Sequence, residues 1–323
     1  MNSLRQLVLI ARATALEGLQ QPIALLLLLA MVALTTLGPL VQLFTFGEEG
    51  RLARDSGLAF MLVMGLAMTA FTAGFTLSDE LRRGTAAAVL VKPVGRLTFL
   101  LGKYLGVVAV LALFCLCGTV CTLLAERTAE HYIELEYFAD AIVDRYTGLG
   151  ALAAAGLALL VAAALNFFRN VRFGLAAFLL VTLSQAAVLL LCGFINRAGE
   201  LIPYALQVNA RIIPASALVF LLLCVYGALA TAFSTRLLTG ATLVLCGAVF
   251  FLGFLSDSFR HASFLSWLSA LVPNVQHFWR ASALDREGSI PLGYVAQALA
   301  YAASLTALYL AAGYAALRGR DLG

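Results

Sequence analysis

Uncharged apolar runs of about 20 residues recur eight times along the chain, near 22–43, 57–77, 104–124, 148–166, 173–195, 212–233, 237–256 and 292–317. At about 1.5 Å per helical residue, each is long enough to cross a hydrocarbon core of roughly 30 Å. The pattern therefore predicts eight transmembrane helices. Residues 1–21 read differently: Arg5, Arg12 and Glu17 are set among Leu4, Leu7, Val8, Ile10, Ala11, Ala15 and Leu19, the pattern of a short amphipathic helix lying at a membrane surface. The first long run exceeds a signal-peptide core, and no small-x-small cleavage site follows Leu43, so it is expected to stay as an anchor.

Three sizeable polar stretches separate the runs: 78–103, 125–147 and 257–291. The second carries Glu126, Glu130, Glu134, Glu136, Asp140 and Asp144 beside Ile133, Tyr137, Phe138, Ala141 and Ile142, and is read as an interfacial helix with an acidic, solvated face. The third mixes Phe259, Phe264, Trp267, Leu268, Trp279 and Leu284 with polar residues and a central Pro273, which suits the interfacial belt or a short re-entrant helix pair.

Composition strengthens the membrane reading, since 62% of residues are hydrophobic and only 12% charged, about half the charge of a soluble domain. Charge also orients it. With eight spans and both termini inside, Arg5, Arg12, Arg82, Arg83, Lys92, Arg96, Lys103, Arg169, Arg172, Arg236, Arg318 and Arg320 are cytoplasmic, twelve of the 21 Lys and Arg. Thirteen of the 17 acidic residues fall on the other side. All six cysteines lie in apolar runs and read as packing residues, Cys117 and Cys121 included. The Ala- and Gly-rich run 148–165, and Gly102 with Gly106, mark close helix contacts within or between subunits.

Much chemistry is missing. None of the eight cores holds Asp, Glu, Lys, Arg or His, so ion-coupled transport has no titrating group at the midplane; Gln185 and Gln297 are read as bridges between helices, ahead of lining a polar path. A phosphate-cradling loop ends in Lys followed by Ser or Thr, but Lys92 precedes Pro93 and Lys103 precedes Tyr104. His131, His261 and His277 are scattered, which argues against a metal centre, and no nucleophile and base pair at helical spacing. The expectation is a non-enzymatic chain that binds no cofactor and no nucleic acid.

Both lysines fall in one segment, DELRRGTAAAVLVKPVGRLTFLLGKYLG (79–106). There Asp79 and Glu80 are expected to head a short helix, favoured at its N-terminus by the helix dipole. Ala86 to Val91 form its apolar body, Arg82 and Arg83 face anionic lipid or an acidic partner, and Pro93 ends it before Val94 to Arg96 turn the chain into the third span.

This segment resembles the type-two ATP-binding-cassette (ABC) exporter permeases, whose second span is followed by an acidic residue, Gly-Thr, an apolar run ending near Pro and a basic residue, then Gly-Lys. Here these are Glu80, Gly84 with Thr85, Pro93 with Arg96, and Gly102 with Lys103. A second stretch, LVPNVQHFWRASAL (271–284), is similar to the family's Pro-Asn region before the last span, represented by Pro273 and Asn274, and AALRGRDLG to its basic C-terminus. The resemblance implies an all-α polytopic bundle of six to eight transmembrane helices, the family's usual number being six; two are then added, or 212–256 is partly re-entrant. It implies a coupling helix over 79–97 that docks on a separate cytoplasmic ATPase subunit through Glu80, Arg82, Arg83, Gly84, Thr85, Pro93 and Arg96, with an extracellular re-entrant region at Pro273 and Asn274. Residues 22–323 then form the permease domain, paired with a second permease copy or homologue in the inner (cytoplasmic) membrane, both termini cytoplasmic and ATP bound by the partner. Uncharged walls suit an amphipathic or lipid-like cargo. A non-transporting scaffold or sensor that partners an ABC ATPase shares most of these features, and a membrane-embedded enzyme would need a polar constellation that the chain does not display.

Overall fold

The computed structural model describes residues 3–41, 48–82, 95–129, 131–135, 138–142, 144–195, 201–205, 208–256 and 271–319. In order, these form α1 (Ser3–Gln20), α2 (Pro22–Val41), α3 (Glu49–Arg82) and α4 (Arg96–Thr128), then a hairpin of β1 (His131–Leu135) and β2 (Phe138–Ile142). There follow α5 (Arg145–Arg169), α6 (Phe173–Leu191), α7 (Ile212–Ser234), α8 (Thr239–Phe254) and α9 (Leu292–Arg318). The chain is an all-α polytopic bundle.

Seven of these helices, α2 to α7 and α9, are long and apolar enough to cross a membrane. The eighth expected span is α8, whose 16 residues reach only about 24 Å. α3 and α4, of 34 and 33 residues, are longer than their apolar runs suggested and start or end among charged residues. At about 1.5 Å per residue they exceed a roughly 30 Å core by some 20 Å, so their ends project from the hydrocarbon.

α4 is the axis of the fold and packs against α1, α2, α3, α6 and α7. Its lining is apolar all round: Val110, Phe114 and Cys117 meet Leu28 and Met31 of α2, Met61 and Met68 of α3 and Leu222 and Tyr226 of α7 in one buried cluster. The small positions at the start of α4 receive α1. A Cβ on Gly102 would lie 2.7 Å from Ile10 Cγ2, and one on Gly106 2.8 Å from the Ala11 carbonyl oxygen. These glycines thus make a contact within the chain. α1 turns Gln6 and Thr14 inward and leaves Leu4, Val8 and Leu9 exposed.

One end of the bundle gathers the starts of α4, α6 and α8 with the ends of α3, α5, α7 and α9. Its contacts include Ile10 against Gly102, Arg96 with Arg318 and Arg236 with Ala316. Both described termini lie here, together with Arg82, Arg96, Lys103, Arg169, Arg172, Arg236 and Arg318. This is the basic end.

The opposite end corrects the expected acidic interfacial helix. α4 runs through Glu126 to Thr128, and β1 and β2 then pair antiparallel, His131 opposite Ile142 and Leu135 opposite Phe138. Ile133 and Leu135 alternate with Glu134 and Glu136, a period of two that favours a strand over a helix. Nor are Arg127 and Asp144 solvated. Both side chains are fully buried, with Arg127 Nε 3.0 Å from Asp144 Oδ2 and Nη2 donating to the Ile195 carbonyl at 2.6 Å. Asp144 also caps α5 by accepting from the Thr147 N–H and hydroxyl. Arg54, with Arg51 beside it, binds Asp285 and so ties α3 to the chain before α9.

Candidate functional site

The helical geometry of α3 is interrupted close to the basic end. Gly74–Ser78 forms a π-turn, in which the Asp79 N–H bonds to the Gly74 carbonyl five residues back, and α-helix resumes over Asp79–Arg82. A π-turn leaves a carbonyl without its ordinary helical donor and is often found at functional positions. Here the Thr76 carbonyl is taken by Lys103 of α4, whose Nζ lies 2.7 Å away. The same ammonium is 2.6 Å from Glu80 Oε1 and 5.7 Å from the Phe99 ring centre. Lys103 is almost entirely buried and Glu80 is one-quarter exposed, so the pair sits at the edge of the packed region.

This alters the expected role of the acidic pair. Asp79 and Glu80 do not head a separate helix; they occupy the last turn of α3, where the negative end of the helix dipole disfavours carboxylates. Lys103 offsets that cost and links the last turn of α3 to the first turns of α4. Sequence reading placed Lys103 in the motif but did not pair it with Glu80. A usable signal was there: it is one of two lysines in the chain and borders an uncharged run.

Other elements lock onto this hairpin. Ser78 Oγ donates to the Leu237 carbonyl in the turn between α7 and α8, and Gly74 lies against Thr239 at the start of α8. Leu77 and Leu81 pack with Phe99, Leu100 and Leu317, with Ile10 and Tyr314 at the margin. Arg96 Nη1 donates to the Arg318 carbonyl at 2.7 Å, and Arg236 Nη2 to that of Ala316 at 2.6 Å, so two guanidinium groups hold the last carbonyls of α9. Arg96, one of the residues the resemblance assigns to coupling, thus bonds within the chain. Arg82 is exposed beyond this platform. Arg83, Gly84, Thr85 and Pro93 lie outside the described residues. α4 begins at Arg96, eight residues before the apolar run that marks it in the sequence.

The Pro-Asn region is irregular chain packed into the bundle. Pro273, Asn274, Val275 and Phe278 are buried, and Val275–His277 and Ala281–Glu287 form short 3-10 turns. Three tyrosines of α9 serve its backbone: the Tyr309 hydroxyl donates to the Leu271 carbonyl, Tyr301 accepts from the Asn274 N–H, and Tyr294 donates to the His277 carbonyl. Tyr309 is 17 residues from the start of α9, about 25 Å at 1.5 Å per residue, so the chain enters deeply before it climbs out. Such backbone is tolerated at membrane depth only when protein groups satisfy it. Asn274 also accepts from the Gln276 N–H and caps the first 3-10 turn. The tyrosine spacing of seven and eight residues along the last span was the overlooked signal.

Of the two midspan amides, Gln185 bridges helices as expected. Its Nε2 donates to the Ala151 carbonyl of α5 at 2.9 Å, and its Oε1 lies near the Cys121 thiol of α4. Gln297 is exposed on α9, and its side chain bonds to no other described residue. The six cysteines are free thiols, and among the described residues no cluster of three His, Cys, Asp or Glu could hold a metal ion.

The arrangement is a packed junction: the last turns of α3 and the first turns of α4 are pinned at the π-turn and braced by α1 and α9. No curated protein matches the chain. Residues 20–185, just over half of the 323, match the ABC-2 family transporter protein family, and the match takes in α2 to α5 and most of α6; the chain belongs to that family of multi-pass membrane permeases.

Proposed function

We propose that this chain is the membrane subunit of an ATP-driven exporter and receives its power stroke through the segment joining α3 to α4. The observation that carries the reading is the convergence beneath that segment. α1, α3, α4, the turn between α7 and α8, and the end of α9 are locked together within a few residues of where residues 83–94 leave and re-enter the hairpin. A partner that grips 83–94 moves all of them at once. In this reading a cytoplasmic ABC ATPase docks there with Arg82 at the contact, ATP is bound and hydrolysed on that partner, and the basic end faces the cytoplasm. Glu80 and Arg96 act from inside, keeping the lever stiff.

A second permease copy meets the chain along its least covered helices. Only 28% of the apolar part of α9 and 22% of that of α5 is buried within the chain. The open side of α9 mixes small and weakly polar residues, Ala296, Gln297, Ala300, Ala303, Ser304 and Ala307, with the exposed Leu299 and Leu308. A hydrogen bond from Gln297 across the interface would remove an amide from lipid. An amphipathic or lipid-like cargo fits walls without charged groups.

The test is reconstitution with the ATPase in vesicles. Substrate-stimulated ATP hydrolysis and cargo movement are expected from the native pair, and both should collapse in Arg82→Glu and Gly84→Trp while the permease keeps its fold. Co-purification and transport unaffected in both variants would remove the coupling assignment. Hydrolysis that never responds to any cargo would favour a signalling scaffold.

A further inference from the structure

We infer that a single anionic phospholipid occupies the groove between α2 and α6, with its phosphate held at the basic end by Arg172 and Arg169. The inference is independent of the coupling reading, because it uses none of the junction residues.

The groove has a volume of about 580 Å³ and opens to the membrane. Its walls are apolar along their length, formed by Pro22, Leu26, Leu29, Ala30, Ala33 and Phe173. Leu25 also lines it and, behind the lining, packs against Ala162 of α5 and Ala176 and Ala177 of α6. From Pro22 to Ala33 is eleven residues, about 17 Å at 1.5 Å per residue, close to half of a roughly 30 Å hydrocarbon core. The groove therefore runs from the membrane surface to the midplane, the depth that one acyl chain spans. Ala30 and Ala33 leave the space that larger side chains would fill.

Polarity is confined to the surface end. Gln20 closes the groove there, and its Oε1 accepts from Arg172 Nη1. Arg169 lies one turn of chain away, across the left-handed Asn170 that ends α5. Both guanidinium groups are exposed, and among the described residues neither forms an ion pair. Arg172 stands at the N-cap of α6, so the positive end of that helix lies at the same level. A phosphate at that level meets the Arg172 guanidinium and the positive end of a helix dipole, with Arg169 three residues away along the chain to add a second cation. The nearest acidic residue along α1 is Glu17, one turn before Gln20 and half-buried. A zwitterionic lipid fills the apolar part equally well, but its own cation gains nothing from the arginines. The lipid would brace the α1–α2 elbow against α6.

Purified, delipidated protein in detergent can be titrated with phosphatidylglycerol and with phosphatidylcholine of the same acyl chains, with bound species counted by native mass spectrometry. Tighter binding of phosphatidylglycerol is expected. Arg169→Gln with Arg172→Gln should weaken it about fivefold per arginine, the effect of one surface cation on an anionic lipid, and leave phosphatidylcholine unchanged. Ala33→Trp, which fills the groove without touching the arginines, should weaken both lipids. Equal binding of the two headgroups, or unchanged phosphatidylglycerol binding in the double arginine variant, overturns the proposal. So does an Ala33→Trp variant that binds lipid normally but loses a dimeric species, since a second copy would then be the occupant.

Discussion

Replacing Glu80 by Gln should harm the basic end more than replacing Lys103 by Met, although both changes break the same pair. Lys103 Nζ is buried with two oxygens in reach, the Thr76 carbonyl and the Glu80 carboxylate. In Glu80→Gln the ammonium keeps its burial and loses its counter-charge, a situation that costs about 3–5 kcal/mol. In Lys103→Met the buried charge itself is gone. What remains is a Thr76 carbonyl that has lost its lysine donor, about 1–3 kcal/mol, and a Glu80 side chain that is one-quarter exposed, so that water takes part of the load. The expected loss is then about 2–3 kcal/mol. The double variant should be less stable than native by clearly less than the sum of the two, because it leaves no orphaned charge. The assay is unfolding of the purified protein in detergent for all four members of the cycle, with hydrogen exchange across Gly74–Arg82 to show that the effect is local. Equal losses in the two single variants, or a strictly additive double variant, would refute the reasoning. Because Glu80 braces the junction from within, its substitution tests the lever's stiffness, and Arg82 is the cleaner probe of docking.

Asp144→Asn should destabilise the opposite end by about 3–5 kcal/mol, since it strands the fully buried Arg127; protease accessibility of β1 and β2 provides the readout, and unchanged cleavage would count against the pairing. Gly106→Val should displace α1, because its Cβ would meet the Ala11 carbonyl, at a cost of about 1–3 kcal/mol; an engineered disulfide between α1 and α4 that still forms at the native rate would contradict this. Tyr301→Phe removes the acceptor of the buried Asn274 N–H and should cost about 1 kcal/mol, seen as faster exchange of that amide while distant amides keep their rates. Under the proposed orientation, cysteines placed at Arg82 and Arg318 should react only with reagents that enter the cytoplasm, and labelling from outside would invert the topology.

Hydropathy located the helices well. Each of the eight apolar runs coincides with a helix, as 148–166 does with Arg145–Arg169 and 212–233 with Ile212–Ser234, because a lipid-spanning backbone must satisfy its own polar groups and tolerates few charges. Ends were less legible. Glu49 to Ser56 and Arg96 to Lys103 are helical yet polar enough to interrupt an apolar run, since they lie where helices leave the hydrocarbon. The stretch 131–142 was misread because its acidic residues suggested a helix face, whereas its alternation of Ile and Leu with Glu belonged to strands. Gly102 and Gly106 announced a close contact but not its partner, α1.

The sequence by itself determined that this protein lives in a bilayer, how many apolar segments it has, which end is basic, and that the stretch following the second span resembles that of the ABC permeases. Those are properties of local composition, which the membrane reads residue by residue. Only the tertiary structure decided that Lys103 would secure both the π-turn and Glu80, that Arg96 and Arg236 would hold the end of α9, and that three tyrosines would carry the Pro-Asn chain into the bundle. Each of these joins residues distant in sequence, so its energy exists only after packing has brought the groups within hydrogen-bonding reach and removed the water that would otherwise satisfy them.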